Sequence, residues 1–323
     1  MKRSLFCVAL SAMFFALCTP ADVQQPRKVP RIGVLRLTPP QTHQLEAIRN
    51  RLRQLGYVEG KNILIEYRFA EGNPDRVLDL AAELVDLKVD VIIAIGPAAA
   101  SAAKSVTQTI PIVIAASGDP VKQGLVASLA RPGGNITGLT ILAPEMAGKR
   151  LDLLKETFPK LSRVAVLWDP LLHKAELKEA EVAAQPLGLQ LQPIKFQGPG
   201  DLESAFQAMT KGRADGFINF SVSLNRSAQK QFADSAAKNR LVSIYGNRET
   251  VEAGGLMSYA PDRAEIYGRT ATYVDKILKG AKAGELPVEQ PTKFELAINL
   301  KTAKRMSVTI PPNVLARADR VIR

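Results

Sequence analysis

The stretch "VDVIIAIGPAAASAAKSVTQTIPIVIAASGDP", residues 89–120, decides the fold. Val89 to Gly96 is dominated by an unbroken apolar run and reads as a buried strand. Gly96 and Pro97 end it, and Ala98 to Val106 is alanine-rich enough to form a helix. Pro111 to Ala116 is a second short buried strand, which runs into Ser117, Gly118, Asp119 and Pro120. Two buried strands joined by a helix are parallel neighbours, because parallel strands need a crossover between them.

Outward from this unit the alternation continues. Upstream, "RIGVLRL" (31–37) and "NILIEYRF" (62–69) are strands. Leu45, Ile48, Leu52 and Leu55 mark a helix stopped by Gly56, and Asn73-Pro74 caps another that reaches about Leu87. Downstream, a helix is expected over Lys122 to Leu129, then a turn at "RPGGN" and the strand "ITGLTIL". The second half repeats the scheme with "RVAVLWD" (163–169), "LQLQPIKF" (189–196), "ADGFINF" (214–220) and "LVSIYGNRE" (241–249). The fold class is therefore α/β, with two similar doubly wound (Rossmann-like) lobes. The tail adds the strand "GGLMSYA", a helix over 264–278, the strand "FELAINL" and a last helix beyond "IPPN". These extra elements imply that the chain crosses between the lobes more than once, through a multi-strand hinge. The expected division is 31–141 plus about 258–288 for the first lobe, and 142–257 plus about 289–323 for the second.

The first 21 residues belong to neither lobe. Lys2 and Arg3 precede an apolar run from Leu5 to Leu17, and Thr19-Pro20-Ala21 offers a cleavage site. This reads as a secretory leader cleaved near Ala21, too short for a membrane span. Both cysteines, Cys7 and Cys18, lie inside it. Leu17 is larger than a lipidation signal tolerates before Cys18, so a freely exported, periplasmic chain is expected. The mature chain then has neither a disulfide nor a thiolate chemistry. The formal charge of +12 falls to +10 without Lys2 and Arg3. Basic residues are spread along the sequence with no aromatic-interleaved run, so nucleic acid is not expected as a partner.

Ligands of open α/β sheets sit beyond the carboxyl ends of the strands. The residues found there are Gly96 and Ala98, then Ser117, Gly118 and Asp119, then Asp169, Ser221, Tyr245 and Tyr259. Gly96-Pro97 either presents backbone N–H groups to an anion or makes a plain helix start. Asp119 either holds an ammonium group or caps the following turn. Tyr245 and Tyr259 either stack on a flat ligand or fill the hinge, and Asp169-Pro170 is also a common turn pair. Catalysis has little support. His43 and His173 are the only histidines and neither stands in a metal-binding pattern. No Walker loop, Gly-x-Ser-x-Gly or dinucleotide fingerprint follows a strand, so no enzyme activity, metal or cofactor is expected.

Three segments carry a resemblance: "IPIVIAASGDPVKQGLVASLARPGGNITGLT", "GKRLDLLKETFPKLSRVAVLWDP" and the long run from "VEAGGLMSYAPDRAEIYGRT" to "MSVTIPP". Over about Val29 to Arg323 the chain resembles the bacterial ABC-transporter substrate-binding proteins of the tryptophan/tyrosine type. The resemblance implies a type I periplasmic-binding-protein fold and a monomeric receptor that hands a small molecule to an inner-membrane permease. It implies an aromatic or other amino acid, or a small carboxylate, as ligand. The runner-up is a sensor that presents its closed form to a membrane receptor. The resemblance also places Gly96 to Ala98 and Ser117 to Asp119 on one cleft wall, with Asp169, Tyr245 and Tyr259 on the other wall or hinge. One departure is visible: where relatives often carry a hydroxyl residue after the glycine, this chain has Pro97, which has no N–H, and then Ala98.

Overall fold

The computed structural model describes residues 29–38, 42–141, 144–170, 173–220 and 226–323. The expected leader with Cys7 and Cys18, and Ser221, lie outside the described residues. The first sheet contains β1 (Arg31–Arg36), β2 (Leu64–Phe69), β3 (Val91–Ile95), β4 (Ile112–Ser117) and β5 (Ile136–Thr140). Its order is β2-β1-β3-β4-β5, and every neighbouring pair is parallel. Side chains of β3 alternate between two cores. Val91, Ile93 and Ile95 face one, while Ile92 and Ala94 face the other. A strand covered on both faces has no solvent side, hence its continuous apolar run.

The helices α1 (Thr42–Gln54), α2 (Pro74–Asp86) and α3 (Pro97–Val106) connect these strands. Asn73 caps α2 as expected, its side-chain oxygen accepting from the Asp75 N–H at 3.0 Å, with Pro74 in the first turn. One expected helix is missing. Residues 122–129 form turns, because Gly124 at φ +65° ends the single turn that starts at Asp119.

The second sheet holds β6 (Arg163–Trp168), β7 (Gln190–Lys195), β8 (Gly216–Asn219), β9 (Val242–Tyr245), β10 (Met257–Pro261), β11 (Phe294–Asn299) and β12 (Arg320–Ile322). Its order is β12-β11-β10-β9-β8-β6-β7. From β7 to β10 this reproduces the strand order of the first sheet, so the lobes are similar as the sequence suggests. β11 is antiparallel to β10. One face packs on α4 (Met146–Thr157) and α5 (Lys174–Ala184), the other on α6 (Leu202–Lys211), α7 (Arg226–Lys238) and the short α8 (Arg248–Glu252).

The long helix α9 (Arg263–Leu278) returns to the first sheet, where Ile266, Tyr267, Ala271 and Val274 join the core of α1. The chain then comes back to β11, followed by α10 (Leu300–Met306) and α11 (Pro312–Leu315). It therefore crosses between the sheets three times: after β5, after β10 and before β11. At the last crossing the Thr140 N–H donates to Glu289 O at 3.0 Å, tying two crossings together. One expectation is corrected here. Residues 258–261 belong to the second sheet, because Ser258 pairs with Tyr245 and Pro261 with Phe294; the chain leaves that sheet only at Asp262. Among the described residues no helix is long and apolar enough to cross a membrane.

Candidate functional site

The strand order reverses between β1 and β3 in one sheet and between β6 and β8 in the other. Loops diverge at such points and leave a crevice beyond the carboxyl ends of the strands. In the first lobe it is bounded by Arg36 and Gly96. Arg36 donates from Nε to Thr38 Oγ1 at 3.0 Å and from Nη1 to Gln44 Oε1. Its burial lowers its pKa, and Arg263 adds to that effect against Tyr267 and Glu249. Gly96 has φ +85°, a left-handed value that favours glycine. It starts α3 with no side-chain cap. Pro97 has no N–H and the Ala100 N–H donates to Gly96 O. The open donors of this helix start are therefore the N–H groups of Ala98 and Ala99.

Ser117, Gly118 and Asp119 follow a β-bulge. Ile114 lies opposite Gly138, but Ser117 lies opposite Thr140, so β4 has one residue more than β5 in between. Ala116 absorbs the extra residue at φ +53°. Both Ala115 and Ala116 consequently face the α1 core, and alternation is broken. Ser117 is thereby turned to Gln123 Oε1, to which it donates at 3.4 Å, and it is fully buried. Thr140 Oγ1 donates to the carbonyls of Ser117 and Gly118. Asp119 is occupied by its own turn. Its Oδ1 accepts from the Val121 and Lys122 N–H groups at 3.1 and 3.0 Å, and its Oδ2 lies 3.5 Å from Lys122 Nζ. Of the two readings open in the sequence, the geometry favours the cap.

The facing wall comes from the second lobe. Asp169 is buried after β6; its N–H donates to His173 Nδ1 at 3.0 Å, and Gln197 Nε2 donates to its Oδ1 at 3.3 Å. His173 is 7% exposed, beside the Phe220 ring at 5.7 Å. Burial drives its pKa down to about 4; Asp169 opposes this and Arg150 adds to it. Tyr245 requires a correction. It is 0% exposed and packs edge-on against Phe217 and Phe232 at 5.6 and 5.7 Å, deep under the sheet rather than in the cleft. The register puts its side chain on the α7 face, where the ring fills the core. Tyr259 is half-buried at the hinge, stacked on Phe294 at 5.8 Å.

Two residues that the sequence reading passed over stand at the same edge. Arg150, on α4, is 6% exposed and donates from Nε to Tyr259 O at 2.8 Å. Glu176, in the first turn of α5, has one carboxyl oxygen fully buried without a hydrogen-bond partner among the described residues. Burial lowers the Arg150 pKa to about 10 against the pull of Glu176, and burial raises the Glu176 pKa against Lys122 and Arg150. A signal was present. Ala147, Leu151 and Leu154 form a buried stripe at spacings of four and three, and Arg150 falls within it. Glu176 stands four residues before buried Ala180.

The lobes also meet directly. Arg263 Nε, at the start of α9, lies 3.6 Å from Glu249 Oε1 on α8. Lys122 and Asp119 of the first lobe are close enough to influence Glu176 of the second. The site is thus a cleft between two strand-end walls, floored by the three crossings, with charged groups of both signs. Among the described residues, no group of three or more His, Cys, Asp or Glu side chains could hold a metal ion.

Comparison with known proteins bears on this geometry. The family model described as ABC transporter substrate binding protein matches residues 38–322. A curated "Tyrosine-binding protein" of Clostridioides difficile (strain R20291) is 26% identical over 259 residues, covering 80% of this chain and 74% of that protein. The crystal structure of a conserved domain protein from Vibrio cholerae aligns at TM-score 0.80 and 31% identity, covering 91% of this chain and 100% of the other. An ABC domain from Streptococcus pneumoniae, in complex with L-Trp, aligns at TM-score 0.82 and 26% identity, covering 91% of this chain and 99% of the other. The architecture is that of a type I periplasmic binding protein, as the resemblance implied.

Proposed function

Because the chain belongs to the family of ABC transporter substrate-binding proteins, a family of binding proteins rather than enzymes, we propose that it is the periplasmic solute receptor of an ABC importer. It captures an amino acid, aromatic or otherwise, or a small carboxylate between its lobes and presents the closed form to an inner-membrane permease. The observation that carries this reading is the cleft itself. Each sheet has one strand-order reversal and the chain passes between the sheets three times, and an arrangement with several connections favours closure about a fixed axis. Closing excludes water, so a few directed hydrogen bonds decide which solute is held.

On this reading Gly96, Ala98 and Gly118 form one wall, with the Ala98 N–H as a donor, while buried Ser117 and the capping Asp119 hold the turn in shape. Asp169 and Tyr259 belong to the other wall. The names of the relatives, a tyrosine-binding protein and an L-Trp complex, support an amino acid as the solute. A thermal-shift screen of the mature chain against the twenty amino acids and a set of small carboxylates tests it. A true ligand at a hundredfold excess over Kd stabilises by about 2.7 kcal/mol through mass action. If no amino acid or carboxylate raises Tm while another solute class does, this assignment of the ligand is wrong. Export is checked separately: the mature chain is expected in the periplasmic fraction, beginning at Asp22. A chain that sediments with membranes and retains Cys18 would refute cleavage at Ala21.

A further inference from the structure

We propose that Arg150 and Glu176 together form a zwitterion clamp, Arg150 receiving the carboxylate and Glu176 the ammonium group of a bound α-amino acid. The inference rests on the solute-receptor reading above and assigns the ligand's charged end to two residues of the second lobe.

Arg150 has five N–H donors, and the described structure uses one of them, Nε, on the Tyr259 carbonyl. It has no ion-pair partner among the described residues, although it is 6% exposed. A buried cation in that state is unfavourable unless something compensates it. Glu176 is the complementary case. Its Oε2 is shielded from solvent and, among the described residues, accepts no hydrogen bond. The two groups feel each other's charge, yet they do not close into an ion pair. Two opposite charges, each with unused hydrogen-bonding capacity among the described residues, suit a ligand bearing both signs on one carbon.

The position agrees with capture in the cleft. Arg150 reaches the hinge strand through Tyr259, and Glu176 opens the helix that follows β6. The other ionisable groups around the pair are His173, Asp169, Tyr259, Lys122 and Asp119. His173 is held neutral by burial, and Lys122 and Asp119 pair with each other on the opposite wall. A purely anionic ligand would leave Glu176 buried beside a second negative charge. A purely cationic one would leave Arg150 uncompensated. Only a ligand carrying both charges satisfies both residues.

The test uses isothermal titration of the full mature chain with L-tryptophan, tryptamine and indole-3-propionate, repeated with the L-tyrosine series. Wild type is expected to bind at least one of the two amino acids and to bind its single-charge analogues on the order of a hundredfold more weakly. Glu176→Gln, nearly isosteric, is expected to weaken the amino acid on the order of a hundredfold while leaving the des-amino acid within about threefold. Arg150→Lys is expected to weaken both. Because Arg150 is buried, its variant is checked by circular dichroism, and Glu176→Gln decides the matter alone if that variant does not fold. Equal effects of Glu176→Gln on the amino acid and its des-amino analogue, or no effect on either, would overturn the clamp and leave the receptor reading intact. Wild type that binds neither series but takes up another solute would overturn the clamp together with the assignment of an amino-acid ligand.

Discussion

At the scale of single residues, His173 and Asp119 are the side chains whose roles are most open to measurement. The Asp169 N–H donates to His173 Nδ1, so that nitrogen carries no proton in the folded state. Burial depresses the folded pKa to about 4 from 6.5. Between these values the unfolded chain binds the proton and the folded chain does not, so stability falls as pH drops from 6.5 toward 4. The contribution is roughly 3 kcal/mol when fully expressed. His173→Gln is expected to flatten that part of the stability-against-pH curve, measured by urea unfolding. An unchanged slope would mean that other groups set the acid sensitivity. Asp119→Ala removes the acceptor of two N–H groups and is expected to cost about 1 kcal/mol of stability. Amino-acid affinity should change little with it, in contrast to Glu176→Gln. Abolished binding in a folded Asp119→Ala protein would restore Asp119 as a ligand residue. The sequence left Asp119 undecided because a capping carboxylate and a ligand carboxylate have the same local spelling; only the positions of the Val121 and Lys122 N–H groups separate them.

At the scale of elements, the bulge in β4 is the decisive local device. Gly138 sits opposite it at φ +129°, and a Cβ there would lie 2.2 Å from the Ile114 carbonyl oxygen. Gly138→Ala is expected to destabilise by about 3 kcal/mol or more, through both a backbone clash and an unfavourable φ. Ala116→Gly relieves a left-handed strain of about 1–2 kcal/mol and loses about 0.5–1 kcal/mol of chain-entropy advantage. Its net effect is expected within about 1 kcal/mol of zero by thermal melting. Most elements were legible from periodicity, because strands buried on both faces and helices with one apolar stripe write different patterns. The bulge was not, since "IVIAAS" reads the same with or without an extra residue. The missing helix after Asp119 failed for a related reason: Leu125 and Val126 are buried under a turn, and burial alone mimics helical spacing. Tyr245 was misplaced because a strand's last residue can face core or cleft, and its register with Ser258 selects the core. Arg150 and Glu176 went unread because each occupies one slot of an otherwise apolar stripe, a weak mark until the two helices are seen side by side.

At the scale of the molecule, the Arg263–Glu249 contact ties the return helix of one lobe to the other. Both side chains are partly shielded, and such a pair is worth about 1 kcal/mol. Arg263→Gln is expected to shift the ligand-free protein toward a more open form, read as a larger radius of gyration by small-angle scattering. Apparent affinity should fall about fivefold with it, since closure becomes harder by that amount. An unchanged radius and affinity would show that this contact does not bias closure. The return of α9 has a further consequence, for the order in which the protein can be assembled. The face of the first sheet around Ile32, Val34 and Ile93 gains part of its cover only from Ile266 to Val274. A nascent or truncated chain that stops near residue 141 has every strand of that sheet but lacks this cover. It is therefore a sticky fragment rather than a folding unit, and adding residues 263–288 in trans should rescue it from aggregation. The N-terminal lobe, first to be synthesised, is among the last parts to be finished.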